Sequence, residues 1–140
     1  MGRILAIDYG TKRCGLAVSD PLRIIAGGLD TLHSKDLMAF LKTYIPKEGV
    51  DLLVVGEPKT LMNVNSSSAR QIEPFVKHLR SVFPNLRIER YDERFTSSIA
   101  KQSMLEGGMK KKDRQNKSTI DKISATILLQ DFMEHLSHRA

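Results

Sequence analysis

The 140-residue sequence contains few of several features that would narrow its chemistry. A single cysteine, Cys14, excludes an internal disulfide and cannot build a zinc site alone. Tryptophan is absent and aromatic residues make up 6% of the chain, so few side chains can stack on the rings of a ligand. No apolar run approaches the roughly 20 residues of a membrane-spanning helix, and no secretory signal pattern is visible. We therefore expect a soluble, cytoplasmic protein.

The size and composition of the chain are those of one globular domain. Hydrophobic residues account for 41% of the sequence and charged residues for 27%, which are ordinary values for a folded protein. A chain of this length can bury roughly two-thirds of its unfolded surface, enough for an independent core. We therefore predict a single domain over residues 1–140.

The net charge of +6 favours a polyanionic partner. The charge is also concentrated in one segment. Residues 101–117 contain six basic and two acidic residues, and so carry +4 of the total.

Apolar periodicity predicts three successive strands and then alternating helices and strands. The third strand contains Gly27 and Gly28, which favour a weakened or bulged strand. Ser34 is a candidate N-cap, and Pro46 and Gly49 are expected to stop the first helix. Pro74 leaves the start of the second helix open. The predicted strands are 3–8, 14–19, 23–31, 51–56 and 86–92; the predicted helices are 34–45, 67–82, 94–106 and 118–136; the predicted loops include 57–65 and 109–117.

This order of elements predicts an α/β fold with a mixed five-stranded sheet. Hairpin spacing makes the first three strands antiparallel, and right-handed crossovers place the last two parallel to the first, with helices on both faces. In such sheets, chemistry collects beyond the carboxyl ends of the parallel strands. Those ends carry Asp8, Gly56 with Glu57, and Asp92 with Glu93.

Carboxylates gathered at one sheet edge predict a metal site. Asp121, near the start of the last helix, can approach the same edge from the side. Neighbouring carboxylates repel one another unless cations lie between them, and magnesium prefers oxygen ligands. Two such ions can stabilise both the attacking and the leaving oxygen of a phosphodiester displacement. Together with the basic charge, this favours a metal-dependent nuclease.

Four segments resemble the successive motifs of the YqgF family. They are "IDYGTKRCGLAVSD", "VVGEP", "DERFTS" and "IDKISATILLQDF", in the same order and over nearly the whole chain. Members of that family are bacterial proteins of ribonuclease H-like fold, described as candidate Holliday-junction resolvases and candidate nucleases that mature pre-16S ribosomal RNA. The resemblance implies a ribonuclease H-like fold and a nuclease that uses Mg²⁺ or Mn²⁺.

The resemblance also assigns the metal-binding and catalytic positions. Asp8, Glu93 and Asp121 match the positions proposed for the family, and Asp92 is the weaker candidate of its pair. The sequence departs from the family at Glu57, where an apolar residue is usual, and the following loop lacks the usual glycine. The middle carboxylate is therefore Glu93 by preference, with Glu57 left open.

Each of these carboxylates also has a structural interpretation. Asp8 can be a turn residue that ends a strand, and Glu93 can pair with Arg94 in a helical turn. Ser118 followed three residues later by Asp121 approaches a capping box, and the helix dipole favours an acid there. Capping and metal binding can coexist at Asp121.

Basic residues supply candidate contacts to nucleic-acid phosphates. Lys12 and Arg13 lie in the hairpin beside Asp8, and Arg94 follows Glu93. The loop after the fourth helix adds flexible cations, which would contact phosphates without reading sequence. Its contact candidates are Lys110, Lys111, Lys112 and Arg114.

Three functions compete at this stage. The first is the nuclease, acting on structured RNA or branched DNA and meeting ribosomal precursor particles as partners. The second is a nucleic-acid-binding or ribosome-assembly module without cleavage. The third is an ATPase-like domain, because "DYGTKRCG" has the form of a phosphate-binding hairpin, although 140 residues supply only one of the two lobes such proteins use. The chain is expected to be a monomer or a homodimer, since paired cuts in a junction would require two sites.

Overall fold

The computed structural model describes residues 2–10, 12–57, 67–92 and 117–137. These residues form five strands and three helices, all of which the sequence predicted. The helix expected at 94–106 lies outside the described residues, as do nearly all of the loops expected at 57–65 and 109–117. In chain order the elements are β1 (Arg3–Asp8), β2 (Arg13–Ser19), β3 (Ala26–His33), α1 (Ser34–Glu48), β4 (Val50–Glu57), α2 (Ser67–Val82), β5 (Arg87–Asp92) and α3 (Lys117–Ser137).

The strands form one mixed sheet in the order β3-β2-β1-β4-β5. Both β1 with β2 and β2 with β3 pair antiparallel, whereas β1 with β4 and β4 with β5 pair parallel. The predicted topology is confirmed. Because β1 is central and β4 and β5 run parallel to it, the carboxyl ends of these three strands share one edge.

Helices cover both faces of the sheet, as predicted. The strict alternation of side chains along β1 and β4 sends successive residues into two separate cores. On one face, strand residues such as Leu5 and Leu53 pack with Leu37 and Leu41 of α1 and with α2. The opposite core contains Ile4, Ala6, Ala17, Leu52, Val54, Tyr91, Ala125, Leu128, Leu129 and Phe132, the last four from α3. Burying a side chain the size of leucine contributes roughly 1.5–3 kcal/mol, so the two cores together hold the layers in place.

The start of β3 differs from the prediction. Residues 23–25 were expected in the strand, but β3 begins at Ala26. The Asp20 carboxylate instead accepts hydrogen bonds from the N–H groups of Ile24 and Ile25, at 2.6 and 2.8 Å, which closes a turn before the strand. The expected irregularity near Gly28 is present, since the register with β2 shifts by one residue at Leu29.

The two prolines do not stop their helices. Pro46 was expected to end α1, yet the helix continues to Glu48 and ends at Gly49, whose φ of 68° is the left-handed conformation of a C-cap. A proline removes one helical hydrogen bond, and the burial of Leu41 and Ile45 keeps the last turn on the core. Pro74 likewise lies inside α2. None of the helices in the described ranges is both long and apolar enough to span a membrane.

Candidate functional site

The carboxyl ends of β1, β4 and β5 share one edge of the sheet, as the predicted topology requires, and we call it the site edge. Asp8 is the last residue of β1 and pairs in register with Gly56 of β4, which in turn pairs with Tyr91 of β5. One residue further along, Glu57 pairs with Asp92. The backbone positions of Asp8, Glu57 and Asp92 therefore lie in two adjacent rows at this edge.

Asp8 is flanked by glycine on both sides. Its register partner on β2 is Gly15 and its partner on β4 is Gly56. Directly paired residues have Cβ atoms roughly 4.5–5.5 Å apart, so side chains at these two positions would crowd the Asp8 carboxylate. Neither register partner of the half-buried Asp8 therefore places a side chain beside it.

Asp8 belongs to the face of the sheet that α3 covers. Side chains alternate along a strand, so Ile4, Ala6 and Asp8 belong to the same face. Ile4 and Ala6 are both in the core beneath α3. Helix α3 approaches that face closely at Gly28. A Cβ atom at this position would lie 3.3 Å from Thr126 Oγ1 and 3.7 Å from Lys122 Cβ. Asp121 immediately precedes Lys122, so the helix backbone brings position 121 to the same face as Asp8.

The turn between β1 and β2 is braced by both helices of the other face. The ring of Tyr9 stacks on Phe75 of α2, with centroids 4.7 Å apart. The Lys12 carbonyl accepts a 3.0 Å hydrogen bond from the Ser34 N–H at the start of α1. These contacts fix the backbone that follows Asp8, so the site edge is preorganised.

The turn itself requires glycine at position 10 and a small residue at position 14. A Cβ on Gly10 would lie 2.4 Å from the Arg13 carbonyl oxygen, a distance that no side chain tolerates. The buried Cys14 thiol donates to the Gly10 carbonyl at 3.7 Å. Burial, with a smaller contribution from Cys14, raises the pKa of Tyr9, so this phenol stays neutral. Cys14 therefore supports the turn.

Two predicted phosphate-contact residues lie beside Asp8. Lys12 is exposed and Arg13 is half-buried at the first position of β2. Their cationic side chains are on the turn that follows the Asp8 strand, which suits contacts to the phosphates flanking a bond held at the edge. The other predicted contact residues and one predicted ligand lie outside the described residues: Glu93, Arg94, Lys110, Lys111, Lys112 and Arg114.

The donor chemistry at Asp8 fits a hard divalent cation. A carboxylate at the end of a strand offers the oxygen ligand that Mg²⁺ and Mn²⁺ prefer. Within residues 2–10, 12–57, 67–92 and 117–137, no three acidic, histidine or cysteine side chains meet in a metal-binding group. A complete ligand set therefore requires residues beyond those whose side chains are described.

The sequence analysis missed the two glycines beside Asp8 as functional residues. The sequence analysis does not single out Gly15, and it names Gly56 only as a strand end. The signal that could have found them is register: aligning the ends of β1 and β4 and folding the β1–β2 hairpin places both glycines next to Asp8.

Comparison with known proteins identifies relatives over almost the full chain. A family profile described as "RuvX: Holliday junction resolvase" matches residues 2–135. A candidate pre-16S rRNA nuclease of Phocaeicola vulgatus is 54% identical over 134 residues, which cover 96% of each chain. The corresponding protein of Flavobacterium psychrophilum is 52% identical over 133 residues, covering 95% of this chain and 97% of that protein.

Solved structures with low sequence identity share the fold. Thermus thermophilus RuvC, in a structure of its complex with a Holliday junction substrate, superposes with a TM-score of 0.60 at 13% identity and covers 96% of both chains. The yeast mitochondrial Holliday junction resolvase superposes with a TM-score of 0.62 at 10% identity, over 98% of this chain and 81% of that one. The predicted ribonuclease H-like α/β architecture is thus confirmed. On the profile match and the identities above 50%, the chain belongs to the RuvX family, the same family as YqgF.

Proposed function

We propose that this protein is a metal-dependent endonuclease that hydrolyses phosphodiester bonds in structured nucleic acid. The observation that carries the proposal is the setting of Asp8, a carboxylate at the carboxyl edge of the sheet, between two glycines and next to a braced turn with two cations. Membership of a family described as resolvases, with relatives named as nucleases, supports the same reaction.

The proposed metal ligands are Asp8, Glu93 and Asp121, with Mg²⁺ or Mn²⁺ as the cation. A divalent cation held there supplies Lewis-acid stabilisation of the charge that builds up on the phosphate oxygens. Glu57 and Asp92 pair one row beyond the row of Asp8, Gly56 and Tyr91, so their backbone positions take the opposite phase of the strand alternation. This disfavours Glu57 and Asp92 as partners of Asp8 and supports Glu93, the position that the family resemblance assigns.

The remaining residues of the proposed site hold the substrate. Lys12 and Arg13 pair with phosphates on either side of the bond, and the braced turn keeps them in place before the substrate arrives. Arg94, Lys110, Lys111, Lys112 and Arg114 extend the phosphate contacts. Such contacts position a backbone without selecting a base sequence, so the substrate is selected by its shape.

The substrate we propose is precursor 16S ribosomal RNA, cut during maturation of its 5′ end. The relatives above 50% identity are named as pre-16S rRNA nucleases. The enzyme would then act in the cytoplasm on ribosomal precursor particles. A second candidate is cleavage of a four-way DNA junction, which the family description and the fold shared with junction resolvases favour. That reaction would require a homodimer to make paired cuts, whereas RNA maturation requires only a monomer.

The test compares wild-type protein with Asp8→Asn on labelled precursor 16S RNA and on four-way DNA junctions, in Mg²⁺, Mn²⁺ or chelator. Asp30→Asn is the matched control, since Asp30 is an exposed carboxylate on β3. We expect metal-dependent cuts by wild type and by Asp30→Asn, and none by Asp8→Asn. Unchanged thermal unfolding of Asp8→Asn would show that the fold is intact. Cutting by Asp8→Asn at the wild-type rate would refute the assignment.

A further inference from the structure

An open hollow lies on the exposed side of α2. Its volume is about 480 Å³, and its lining residues are Glu73, Pro74, Val76, Lys77 and Arg80. The charged residues among them are four and three positions apart, so their side chains share one face of the helix, with neighbouring Cβ atoms roughly 5–6 Å apart. We call this feature the α2 hollow.

The charge of the α2 hollow is positive. Lys77 and Arg80 are exposed, and within the described part of the chain neither side chain makes a hydrogen bond or an ion pair. The acidic residue of the hollow, Glu73, is bonded to the guanidinium of Arg90 on β5, which offsets its negative charge. The hollow therefore presents two cations to solvent that are not committed to a carboxylate of the described chain.

The α2 hollow begins near the site edge. Arg90, which bonds to Glu73, pairs in register with Val55 of β4, and Val55 pairs with Ile7, the residue before Asp8. Two strand spacings separate β5 from β1, a distance of roughly 10 Å. The end of the hollow at Glu73 is therefore close to the edge that carries the proposed active site.

From there the α2 hollow follows the helix away from the site edge. Phe75, two residues after Glu73, stacks on Tyr9, which comes directly after β1. The helix ends near the start of β5, at the opposite end of the sheet. At about 1.5 Å per residue, Arg80 lies about 10 Å further along α2 than Glu73. The two cations therefore lie on a path that leads from the site edge along the outside of α2.

A nucleic-acid phosphate matches the chemistry of the α2 hollow. Lysine and arginine bind phosphate oxygens, and such contacts require no particular base sequence. Lys77 and Arg80 are one helical turn apart, so they can hold one phosphate from two sides or two consecutive phosphates. Strand spacing across the sheet and the rise along α2 put these cations roughly 10–20 Å from Asp8. At about 3.4 Å per nucleotide of a duplex strand, this separation is roughly three to six nucleotides.

We propose that the α2 hollow binds the phosphate backbone of the substrate, roughly three to six nucleotides from the bond held at Asp8. Lys77 and Arg80 make the contacts, and the bound strand crosses the site edge and continues along α2. An acidic protein segment is the other class of occupant that two cations could attract. The nucleic acid is favoured because the hollow begins at the edge where the substrate is proposed to bind. The inference rests on the proposed function, in which that substrate is a structured nucleic acid.

The first test measures binding of a labelled precursor 16S RNA fragment in chelator, so that no cutting occurs, over a series of salt concentrations. The α2 variant, Lys77→Gln with Arg80→Gln, removes both cations. The matched control, Lys42→Gln with Lys47→Gln, removes two exposed cations from α1, which covers the same face of the sheet.

The α2 variant should bind the RNA more weakly and with a smaller salt dependence. Each lost phosphate contact lowers the slope of log affinity against log salt concentration by about 0.7–0.9, so the loss of both should lower it by about 1.5. The control should keep the wild-type slope. Both variants should unfold at the wild-type temperature, because all four side chains are exposed. An unchanged slope for the α2 variant, or an equal loss in both variants, would overturn the proposal.

The length of the RNA provides a second test. The probes are RNA hairpins with a single-stranded extension that is lengthened one nucleotide at a time. Wild-type affinity should rise severalfold once the extension reaches roughly three to six nucleotides, and the α2 variant should lack that rise. Wild-type affinity that does not depend on the length of the extension would contradict the proposed path along α2.

A cross-linking experiment identifies the occupant directly. A photo-cross-linking amino acid in place of Arg80 should link to RNA when the protein is mixed with ribosomal precursor particles. The same amino acid in place of Lys42 should not. Linkage from position 80 to an acidic segment of a particle protein, and not to RNA, would overturn the proposal in favour of a protein occupant.

The nuclease and the phosphate site can fail separately. If wild type bound RNA through Lys77 and Arg80 but cut no substrate in Mg²⁺ or Mn²⁺, the nuclease would be refuted and the phosphate site supported. If cutting depended on Asp8 whereas RNA affinity did not depend on Lys77 and Arg80, the nuclease would be supported and the phosphate site refuted.

Discussion

Asp8 and Gly56 are register partners in the parallel pair of β1 and β4, and on its other side Asp8 faces Gly15 of β2. Neither of these two register partners places a side chain beside the Asp8 carboxylate. This suits the proposed reaction, because phosphate oxygens and a hydrated cation must reach the carboxylate at the same time. The two glycines therefore belong to the proposed active site although neither carries a functional group.

Adding a methyl group beside Asp8 should impair cutting more than folding. In Gly56→Ala, the new Cβ lies in the row of Asp8, and a displacement of the bound phosphate by a fraction of an ångström should slow cutting by roughly tenfold or more. The control is Gly27→Ala on β3, where a Cβ would meet only the Val18 carbonyl oxygen at 4.0 Å. Cutting rates and thermal unfolding of both variants give the comparison. Equal rates for the two would show that the space beside Asp8 is unimportant.

The close approach of α3 to Gly28 should make this position intolerant of larger residues. A Cβ atom at position 28 would lie 3.3 Å from Thr126 Oγ1. The larger, branched side chain of Gly28→Val must therefore push α3 outward. We expect a loss of about 1–3 kcal/mol in the free energy of unfolding, measured by urea denaturation. Lys122 also lies close to position 28, and Asp121, a proposed metal ligand, is the residue before it. An outward shift of α3 should therefore weaken metal binding, so that a higher Mg²⁺ concentration is required for half-maximal cutting.

The neighbouring glycine provides the control for that substitution. Gly27→Val adds the same side chain to the same strand at a position with open space. If Gly27→Val and Gly28→Val lost the same free energy of unfolding, strand propensity and not contact with α3 would be the cause.

The sheet and helices were predictable because each is encoded in a local apolar pattern. The continuous apolar runs of β1 and β4 identify these strands, and the order of the elements is sufficient to infer the mixed topology. The start of β3 was wrong because Ile24 and Ile25 look like strand residues, whereas hydrogen bonds from their N–H groups to Asp20 hold them in an exposed turn. Whether a residue is buried depends on the whole fold, so a short stretch of sequence does not determine it.

The site was predictable in part for the same reason. Asp8 could be chosen because it ends a strand that the topology places in the centre of the sheet. The flanking glycines were missed, because only the pairing register of β1 with β2 and with β4 makes them neighbours of Asp8. The functional roles of all the predicted site residues stay predictions, and Glu93, Arg94 and the basic segment at 110–114 also lie outside the described ranges.

Because Arg23 has a left-handed backbone conformation, the substitutions Arg23→Gly and Arg23→Ala should differ in their effect on stability. Both substitutions remove the ion pair with Asp51 and the hydrogen bond to the Gly2 carbonyl. Only glycine adopts a φ of 59° without steric cost, which is about 1–2 kcal/mol for other residues. Arg23→Gly should therefore be more stable than Arg23→Ala by about 1 kcal/mol in urea denaturation. Equal stability of the two variants would mean that the turn relaxes when the arginine is removed.

The turn should also make the protein sensitive to acid. The hydrogen bond from the Ile25 N–H is the largest cause that lowers the pKa of Asp20 from its ordinary 3.8; burial opposes it, but the Ile24 N–H and further backbone hydrogen bonds keep the net shift downward. Burial raises the pKa of Asp51, but the Gly2 N–H and Arg23 outweigh it, so the net shift is also downward. Groups with lowered pKa values in the folded state stabilise the protein above their ordinary pKa, and this contribution is lost as the pH falls through the lowered values.

The expected result is a loss of stability on acidification below about pH 4, part of which depends on these two carboxylates. The double variant Asp20→Asn and Asp51→Asn should be less stable than wild type at neutral pH, and the difference should shrink from about pH 4 to about pH 2, where wild type is protonated as well. Urea denaturation at a series of pH values measures both curves. If the two curves ran parallel throughout, the acid sensitivity would arise at other carboxylates, and Asp20 and Asp51 would have similar pKa values in the folded and unfolded chains.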